Sequence, residues 1–235
     1  MVIAIILLCL GAVMSTVFIV SKVINYSLKT IIFKTIASLF FVAVAITAIC
    51  MTSGHIYFSI FVILGLIFGL LGDVFLGFKY ITTKTKKVWI LLGMFAFALG
   101  HISYILALFL TFYVKGQVVF AILPFVMAIL ISSCYLVVAK IVGIHFGKMF
   151  PFGIFYLSCL TSMFSTSFSM GLLHSFSMTT LIMFFIGATF FITSDFMLTG
   201  AYFKEGKRSK AYMATYSVCY YVAQFLIAFS ILLLK

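Results

Sequence analysis

Two aspartates in apolar surroundings are the residues of this sequence that are best suited to chemistry. The chain has three acidic residues. Asp73 and Asp195 lie inside long apolar runs, whereas Glu205 lies in a polar segment. A carboxylate in a membrane-spanning helix is costly unless a cavity or a partner stabilises it, so such a group is a functional candidate. A pair of them could activate water or relay protons. The structural alternative is a helix–helix hydrogen bond or an ion pair with Lys34.

Further polar side chains lie inside predicted spanning helices, and their depth can be compared with that of the aspartates by counting residues from the basic connections. At ~1.5 Å of rise per residue, Asp73 lies roughly 9 Å and Asp195 roughly 14 Å from the lysines that follow their runs. His101 and Gln224 lie roughly 21 Å along their helices from the preceding basic residues. With Tyr220, these residues form one polar column if the third, fourth, seventh and eighth apolar segments adjoin.

His101 is the histidine best placed for a site. It shares a helix face with Tyr104 at i, i+3, so both side chains would project into one pocket. A structural histidine is the alternative. His55, His145 and His174 fall in or near connections on different sides, so we predict no metal site.

No cofactor signature accompanies these residues. The sequence has no HExxH, no GxSxG and no glycine-rich phosphate loop. The cysteines stand alone in apolar runs without a CxxC pair, which predicts neither a disulfide framework nor a zinc site. They are Cys9, Cys50, Cys134, Cys159 and Cys219.

The composition defines what must position these side chains. The chain is 66% hydrophobic and 8% charged, with a mean hydropathy of +1.38, far outside the range of soluble domains. A spanning helix needs ~20 apolar residues. We therefore predict an all-α polytopic membrane bundle of about eight transmembrane helices, forming one transmembrane domain over residues 1–235. The predicted spans are 1–21, 31–51, 57–78, 88–113, 117–140, 148–169, 178–203 and 211–234.

The charge distribution agrees with eight spans. All basic residues except Lys115 and Lys235 fall at connections on one side of the predicted bundle. The positive-inside rule places these connections in the cytoplasm and both termini outside. The net charge of +12 is explained by this topology, so we predict no nucleic-acid partner. The first span lacks a basic n-region and a cleavage pattern, so we expect it to be retained. Abundant Phe, Ile and Lys with short loops suit a bacterial inner membrane.

Small residues and an internal echo suggest how the helices are arranged. Gly65, Gly69 and Gly72 form a stripe on the third span on which a neighbour can pack closely. The segment GLLGDVFLG around Asp73 resembles FITSDFMLTG around Asp195, 122 residues later. This echo favours two parallel four-helix halves. Chance likeness between Phe- and Leu-rich helices is the alternative.

Four motifs in this order resemble the YhhN-like lysoplasmalogenase family. They are LLGDVFL (70–76), FALGHISYILALF (97–109), GATFFITSDFMLTG (187–200) and YYVAQFLIAFS (220–230). The resemblance implies a multi-pass membrane hydrolase that cleaves the vinyl ether bond of lysoplasmalogens. It implies Asp73 and Asp195 as catalytic residues. It implies further site residues at His101, Tyr104, Ser194, Tyr220 and Gln224. Lys34 matches the basic position of a Lys-Pro motif, in which Thr35 replaces the proline here.

Vinyl ether hydrolysis fits a pair of acids. It begins with protonation of the β-carbon and continues with attack of water on an oxocarbenium ion. One neutral aspartic acid could donate the proton while an ionised one stabilises the cation and activates water. Lys34 could attract the head-group phosphate of a lysophospholipid substrate, or act as an interfacial anchor that snorkels to the head groups. A proton-coupled transporter, a lipid-binding protein and an intramembrane aspartyl protease are the alternative functions.

Overall fold

The computed structural model describes residues 1–52, 55–82, 84–206 and 208–234, and in these ranges the chain forms eight long α-helices. They are α1 (Val2–Ile24), α2 (Leu28–Ile49), α3 (Ile56–Phe78), α4 (Lys86–Phe112), α5 (Val118–Ile141), α6 (Phe150–Leu173), α7 (Thr179–Phe203) and α8 (Lys210–Ser230). Each is long and apolar enough to cross a membrane. The predicted all-α bundle of eight transmembrane helices is therefore confirmed for the described residues.

The ends of the helices differ from the predicted spans by at most four residues. One of the two largest differences is in α6, which continues to Leu173 instead of ending near residue 169. The serines near the predicted end are buried in the bundle, and Ser169 Oγ donates a hydrogen bond of 2.8 Å to the carbonyl of Phe120. The hydropathy pattern predicted an end here because these residues are polar. Their hydroxyl groups form hydrogen bonds inside the protein, so the helix continues.

The sidedness of the bundle stays a prediction. Lys207 and Lys235, which contributed to the charge argument, lie outside the described residues. Lys22 lies in the last turn of α1, Lys29 in the first turn of α2, and Lys79 directly after α3. The end of α1, the start of α2 and the end of α3 lie on the same side of the bundle, because consecutive helices run in opposite directions. These three basic residues therefore lie on that side.

Helices that follow one another in the chain pack against each other in both halves of the bundle. Between the halves, α4 packs on α6, and α8 contacts α1, α2 and α3. The side chains of α4 and α7 also meet, because the rings of Phe97 and Phe191 lie edge to face with their centroids 6.4 Å apart. The third, fourth, seventh and eighth helices therefore adjoin, which is the arrangement that the polar column required.

The glycine stripe of α3 allows this close approach. A methyl group added at Gly65 would overlap the ring of Tyr104 on α4. At Gly100 of α4, an added Cβ would lie 3.1 Å from the backbone oxygen of Gly65. Gly69 faces a different neighbour, since its added Cβ would lie 2.6 Å from the Gln224 amide on α8. The stripe therefore lets α3 approach both α4 and α8 and brings their polar side chains together.

Gly65→Ala should weaken the packing of α3 on α4. Tyr104 is 1% exposed, and its hydroxyl is bound to Gln224, so its ring has little freedom to make room. We expect the free energy of unfolding in detergent micelles to fall by about 1–3 kcal/mol. Ile60→Ala is the control on the same helix, because Ile60 is 48% exposed and should cost less than about 0.5 kcal/mol. Equal stability of both variants would contradict this account of the stripe.

Candidate active site

One cavity among the helices has both aspartates in its wall. About 100 Å³ of this cavity can be occupied by the centre of a water-sized sphere. Asp73 is 1% exposed and Asp195 is 5% exposed. Every helix contributes at least one wall residue, among them Phe18, Lys34, Asp73, Met94, Tyr135, Tyr156, Asp195 and Tyr220. The two carboxyl groups therefore face the same enclosed space.

Asp73 is fully engaged by partners from α2 and α8. Its Oδ1 lies 2.8 Å from Lys34 Nζ, which forms an ion pair. Its Oδ2 accepts hydrogen bonds from Ser38 Oγ at 2.5 Å and from the Tyr220 hydroxyl at 2.8 Å. Three donors and one positive charge thus surround a buried carboxylate, which is the environment that stabilises the ionised form.

A chain of buried hydrogen bonds continues from this carboxylate into the bundle. The Tyr220 hydroxyl accepts from Gln224 Nε2 at 3.0 Å. Gln224 Oε1 in turn accepts from the Tyr104 hydroxyl, also at 3.0 Å. The polar column thus connects α3, α8 and α4 through direct hydrogen bonds, and every step has a defined donor.

Asp195 has a different environment. Its Oδ2 accepts a short hydrogen bond from the hydroxyl of Tyr156 on α6. His101 Nε2 lies 3.4 Å from the same hydroxyl, and the His101 ring packs edge to face on Phe191 with centroids 4.8 Å apart. Within the described ranges, Lys34–Asp73 is the only ion pair, so Asp195 has no positive partner there. The neighbours of Asp195 are therefore a phenol and a histidine, whereas those of Asp73 are a lysine, a serine and a phenol.

The two aspartates occupy equivalent positions in the two halves of the chain. Lys34 precedes Asp73 by 39 residues, and Tyr156 precedes Asp195 by the same number. In each half the partner lies on the second helix and the aspartate on the third. Each cluster is completed by a side chain from the fourth helix of the other half, Tyr220 at Asp73 and His101 near Asp195. The echo noticed in the sequence therefore has a structural counterpart at both acids.

The predicted site residues divide into two groups. Lys34, Asp73, Ser194, Asp195 and Tyr220 line the cavity. The other three lie behind the wall and reach it through hydrogen bonds: His101 through Tyr156, and Gln224 and Tyr104 through Tyr220.

Ser194 also has a packing role. Its hydroxyl donates a hydrogen bond of 2.8 Å to the backbone carbonyl of Tyr216 and so ties α7 to α8.

Two residues of the site were not predicted from the sequence. Ser38 lies one helical turn after Lys34, on the same face of α2. Tyr156 lies 122 residues after Lys34, the same offset that separates the two aspartates. Applying the repeat offset to the partner of one aspartate would have identified the partner of the other.

The described residues contain no group of three or more His, Cys, Asp or Glu side chains that could hold a metal ion. His101 Nδ1 is buried and has no hydrogen-bond partner in the described part of the chain. The side chains that line or reach the cavity include carboxyl, phenol, imidazole, ammonium and hydroxyl groups.

The fold and site define a class of polytopic helical membrane proteins with two aspartates around one buried cavity. Residues 29–231 match the YhhN family, and the chain belongs to that family. The matched region covers α2 to α8 apart from the first residue of α2, whereas α1 lies outside it. No curated protein matches the chain. No solved structure matches it either.

The ion pair gives a testable coupling between Lys34 and Asp73. Lys34→Met should lower the free energy of unfolding by about 3–5 kcal/mol, because it leaves a buried carboxylate without its cation. The double variant Lys34→Met/Asp73→Asn removes both charges and should recover part of that loss. Denaturant titration in micelles of four proteins, namely wild type, Lys34→Met, Asp73→Asn and the double variant, completes the cycle.

Lys29→Met is the matched control for this cycle. Lys29 lies in the first turn of the same helix and is exposed, so its loss should change stability by less than about 0.5 kcal/mol. Losses in the two single variants that simply add up in the double variant would show that the two side chains are not coupled.

Proposed function

We propose that the protein is a membrane hydrolase that cleaves the vinyl ether bond of lysoplasmalogen-type lysophospholipids. The products are a fatty aldehyde and a glycerophospho-ethanolamine or glycerophospho-choline. The observation that carries this proposal is the unequal environment of two carboxyl groups that line one cavity. Membership of the YhhN family and the four motifs that resemble its lysoplasmalogenases support the same activity.

Asp195 is the proton donor in this proposal. A carboxyl group buried among apolar side chains, without an ion-pair partner, is more stable in its neutral form. Tyr156 holds this group from one side, and His101 supports the Tyr156 hydroxyl. These contacts orient the acid and leave its remaining oxygen free to face the substrate.

Asp73 is the negatively charged partner. Lys34, Ser38 and the Tyr220 hydroxyl stabilise its carboxylate. Gln224 and Tyr104 fix the direction of the Tyr220 hydroxyl, so their role in the reaction is exerted through that side chain. A carboxylate held in this way opposes a developing positive charge across the cavity.

The reaction then follows from the two protonation states. Asp195 donates its proton to the β-carbon of the vinyl ether, and the electron pair of the double bond forms the new C–H bond. The positive charge is shared by the α-carbon and the ether oxygen, and the Asp73 carboxylate stabilises it. Water attacks the α-carbon and gives a proton to that carboxylate, which yields a hemiacetal. The C–O bond to glycerol breaks, the hydroxyl proton passes to the glycerol oxygen, and the proton on Asp73 returns to Asp195 through cavity water.

The remaining wall of the cavity suits the apolar part of such a lipid. Phe97, Leu157, Leu160 and Phe196 line it beside the acids. An alkenyl chain would bury apolar surface against them, which favours binding. The predicted topology, with the basic connections in the cytoplasm of a bacterial cell, would put this site in the inner leaflet.

Purified protein should release aldehyde from a lysoplasmalogen and none from the saturated alkyl ether analogue, which has no double bond to protonate. Asp195→Asn and Asp73→Asn should each lower the rate by about 100-fold or more, the usual contribution of a catalytic acid or base. Tyr156→Phe should lower it roughly tenfold, about the value of one hydrogen bond to the carboxylate that Asp195 becomes when it gives up its proton. Mass spectrometry of both products measures these rates.

Glu205→Gln is the matched control, since it removes the third acid, which is exposed in the connection before α8, and should leave the rate unchanged. In heavy-oxygen water the glycerophospho product should carry no label, because water attacks the vinyl carbon and not the glycerol carbon. Unchanged aldehyde release by both aspartate variants would refute the acid pair. Cleavage of a transmembrane peptide would favour the protease, and uptake into sealed proteoliposomes without product would favour the transporter.

A further inference from the structure

A lysine from outside the family-matched region reaches into the wall of the active-site cavity. Lys22 lies in the last turn of α1, whereas the match to the YhhN family begins at residue 29. Lys22 is nevertheless a wall residue of the same cavity as Asp73 and Asp195. One wall residue of the cavity therefore lies outside the region that matches the family.

The side chain of Lys22 is held toward the interior of the bundle. Its Nζ donates a hydrogen bond of 2.7 Å to Ser217 Oγ, and Ser217 is 3% exposed. The ammonium group also lies 4.0 Å from the centroid of the Tyr216 ring, a cation–π contact. A lysine that only anchored the helix at the membrane surface would extend its ammonium group outward to the head groups. The observed contacts instead hold the charge at the cavity.

This charge has no anionic partner in the described ranges of the chain, where the only ion pair joins Lys34 to Asp73. An ammonium group has three donors, and the Ser217 hydroxyl accepts one of them. Glu205, the third acid, is exposed in the connection between α7 and α8. A partly buried ammonium group with donors to spare is suited to an anion that arrives with a ligand.

The surroundings of Lys22 are positive as well. Lys79 is 4% exposed and lies over the ring of Tyr202, another wall residue. Burial lowers the pKa of Lys79 well below its usual value, and the charges of Lys34, Lys22 and Lys86 lower it further. Lys22, Lys34 and Lys79 therefore lie close enough to repel one another, with Asp73 as the carboxylate among them, and a bound phosphate would reduce this repulsion.

We propose that Lys22, positioned by Ser217 and Tyr216, binds the phosphate of a phospholipid head group at the mouth of the cavity. This inference deepens the proposed function and rests on it for the lipid substrate class. From its position in the sequence, Lys34 could attract this phosphate or act as an interfacial anchor, and in the structure it forms an ion pair with Asp73. In this proposal Lys34 stabilises the Asp73 carboxylate, and Lys22 binds the head-group phosphate.

The test is a binding measurement that requires no cleavage. A saturated alkyl ether lysophospholipid carries the phosphate but cannot be hydrolysed, and the corresponding alkylglycerol lacks the phosphate. Lys22→Gln should bind the lysophospholipid about tenfold or more weakly than wild type, the size of a lost charge-assisted contact, and should bind the alkylglycerol unchanged. Isothermal titration of the protein in nanodiscs gives both affinities.

Two further variants make the result specific. Lys29→Gln removes the same charge from an exposed position that is not part of the cavity wall and should leave both affinities unchanged. Ser217→Ala keeps the charge but removes the acceptor that orients it, and should weaken only the lysophospholipid, by a few-fold. This variant tests the site even if Lys22→Gln does not fold.

Each remaining outcome bears on the proposal. Wild-type affinity of Lys22→Gln for the lysophospholipid would overturn it, and so would an equal loss for the alkylglycerol, which would mean that Lys22 only maintains the shape of the cavity. Inorganic phosphate at millimolar concentration should not displace the lipid, and displacement would assign the site to free phosphate instead. Intact phosphate-dependent binding without vinyl ether hydrolysis would refute the proposed function alone.

Discussion

The structure depends on the high free-energy cost of placing a charged side chain in the apolar interior of a bilayer. A carboxylate is stable among apolar helices only if a cation and hydrogen-bond donors surround it, and Asp73 obtains both from Lys34, Ser38 and Tyr220. This requirement ties α2, α3 and α8 together at one point. Asp195 lines the same cavity but forms no ion pair with any residue that the structure describes. Two chemically identical side chains in one cavity wall thus have different hydrogen-bond and charge partners.

The difference is made by one position of a repeated arrangement. The second helix of each half presents a partner 39 residues before the aspartate of the third, a lysine in the first half and a tyrosine in the second. The fourth helix of each half contributes a side chain to the cluster of the opposite half: Tyr220 of α8 donates a hydrogen bond to Asp73, and His101 of α4 contacts Tyr156, the partner of Asp195. Equivalent positions with unequal partners are a simple way to separate the roles of an acid and a base in a shared site.

Much of this arrangement was accessible from the sequence. Runs of apolar residues predicted the eight helices, since spanning segments of ~20 residues leave a strong signal. Asp73 and Asp195 stood out because acids are rare in such runs. Tyr156 could not be recognised in the same way, because a tyrosine in an aromatic-rich helix carries no signal until its partner is known. The contact of Lys22 with Ser217 joins residues 195 positions apart and depends on the packing of α1 on α8, which hydropathy does not determine.

The hydrogen bonds that run from Tyr104 to Asp73 all point the same way. Each hydroxyl and the Gln224 amide donates toward the carboxylate, so a reversed amide would place its oxygen against the Tyr220 oxygen, whose proton is already donated to Asp73. An amide in the middle of such a row cannot hand on a proton as a hydroxyl or a water molecule does. The row therefore fixes the direction of the Tyr220 hydroxyl but does not provide a path for protons between the carboxylate and the far end of the row.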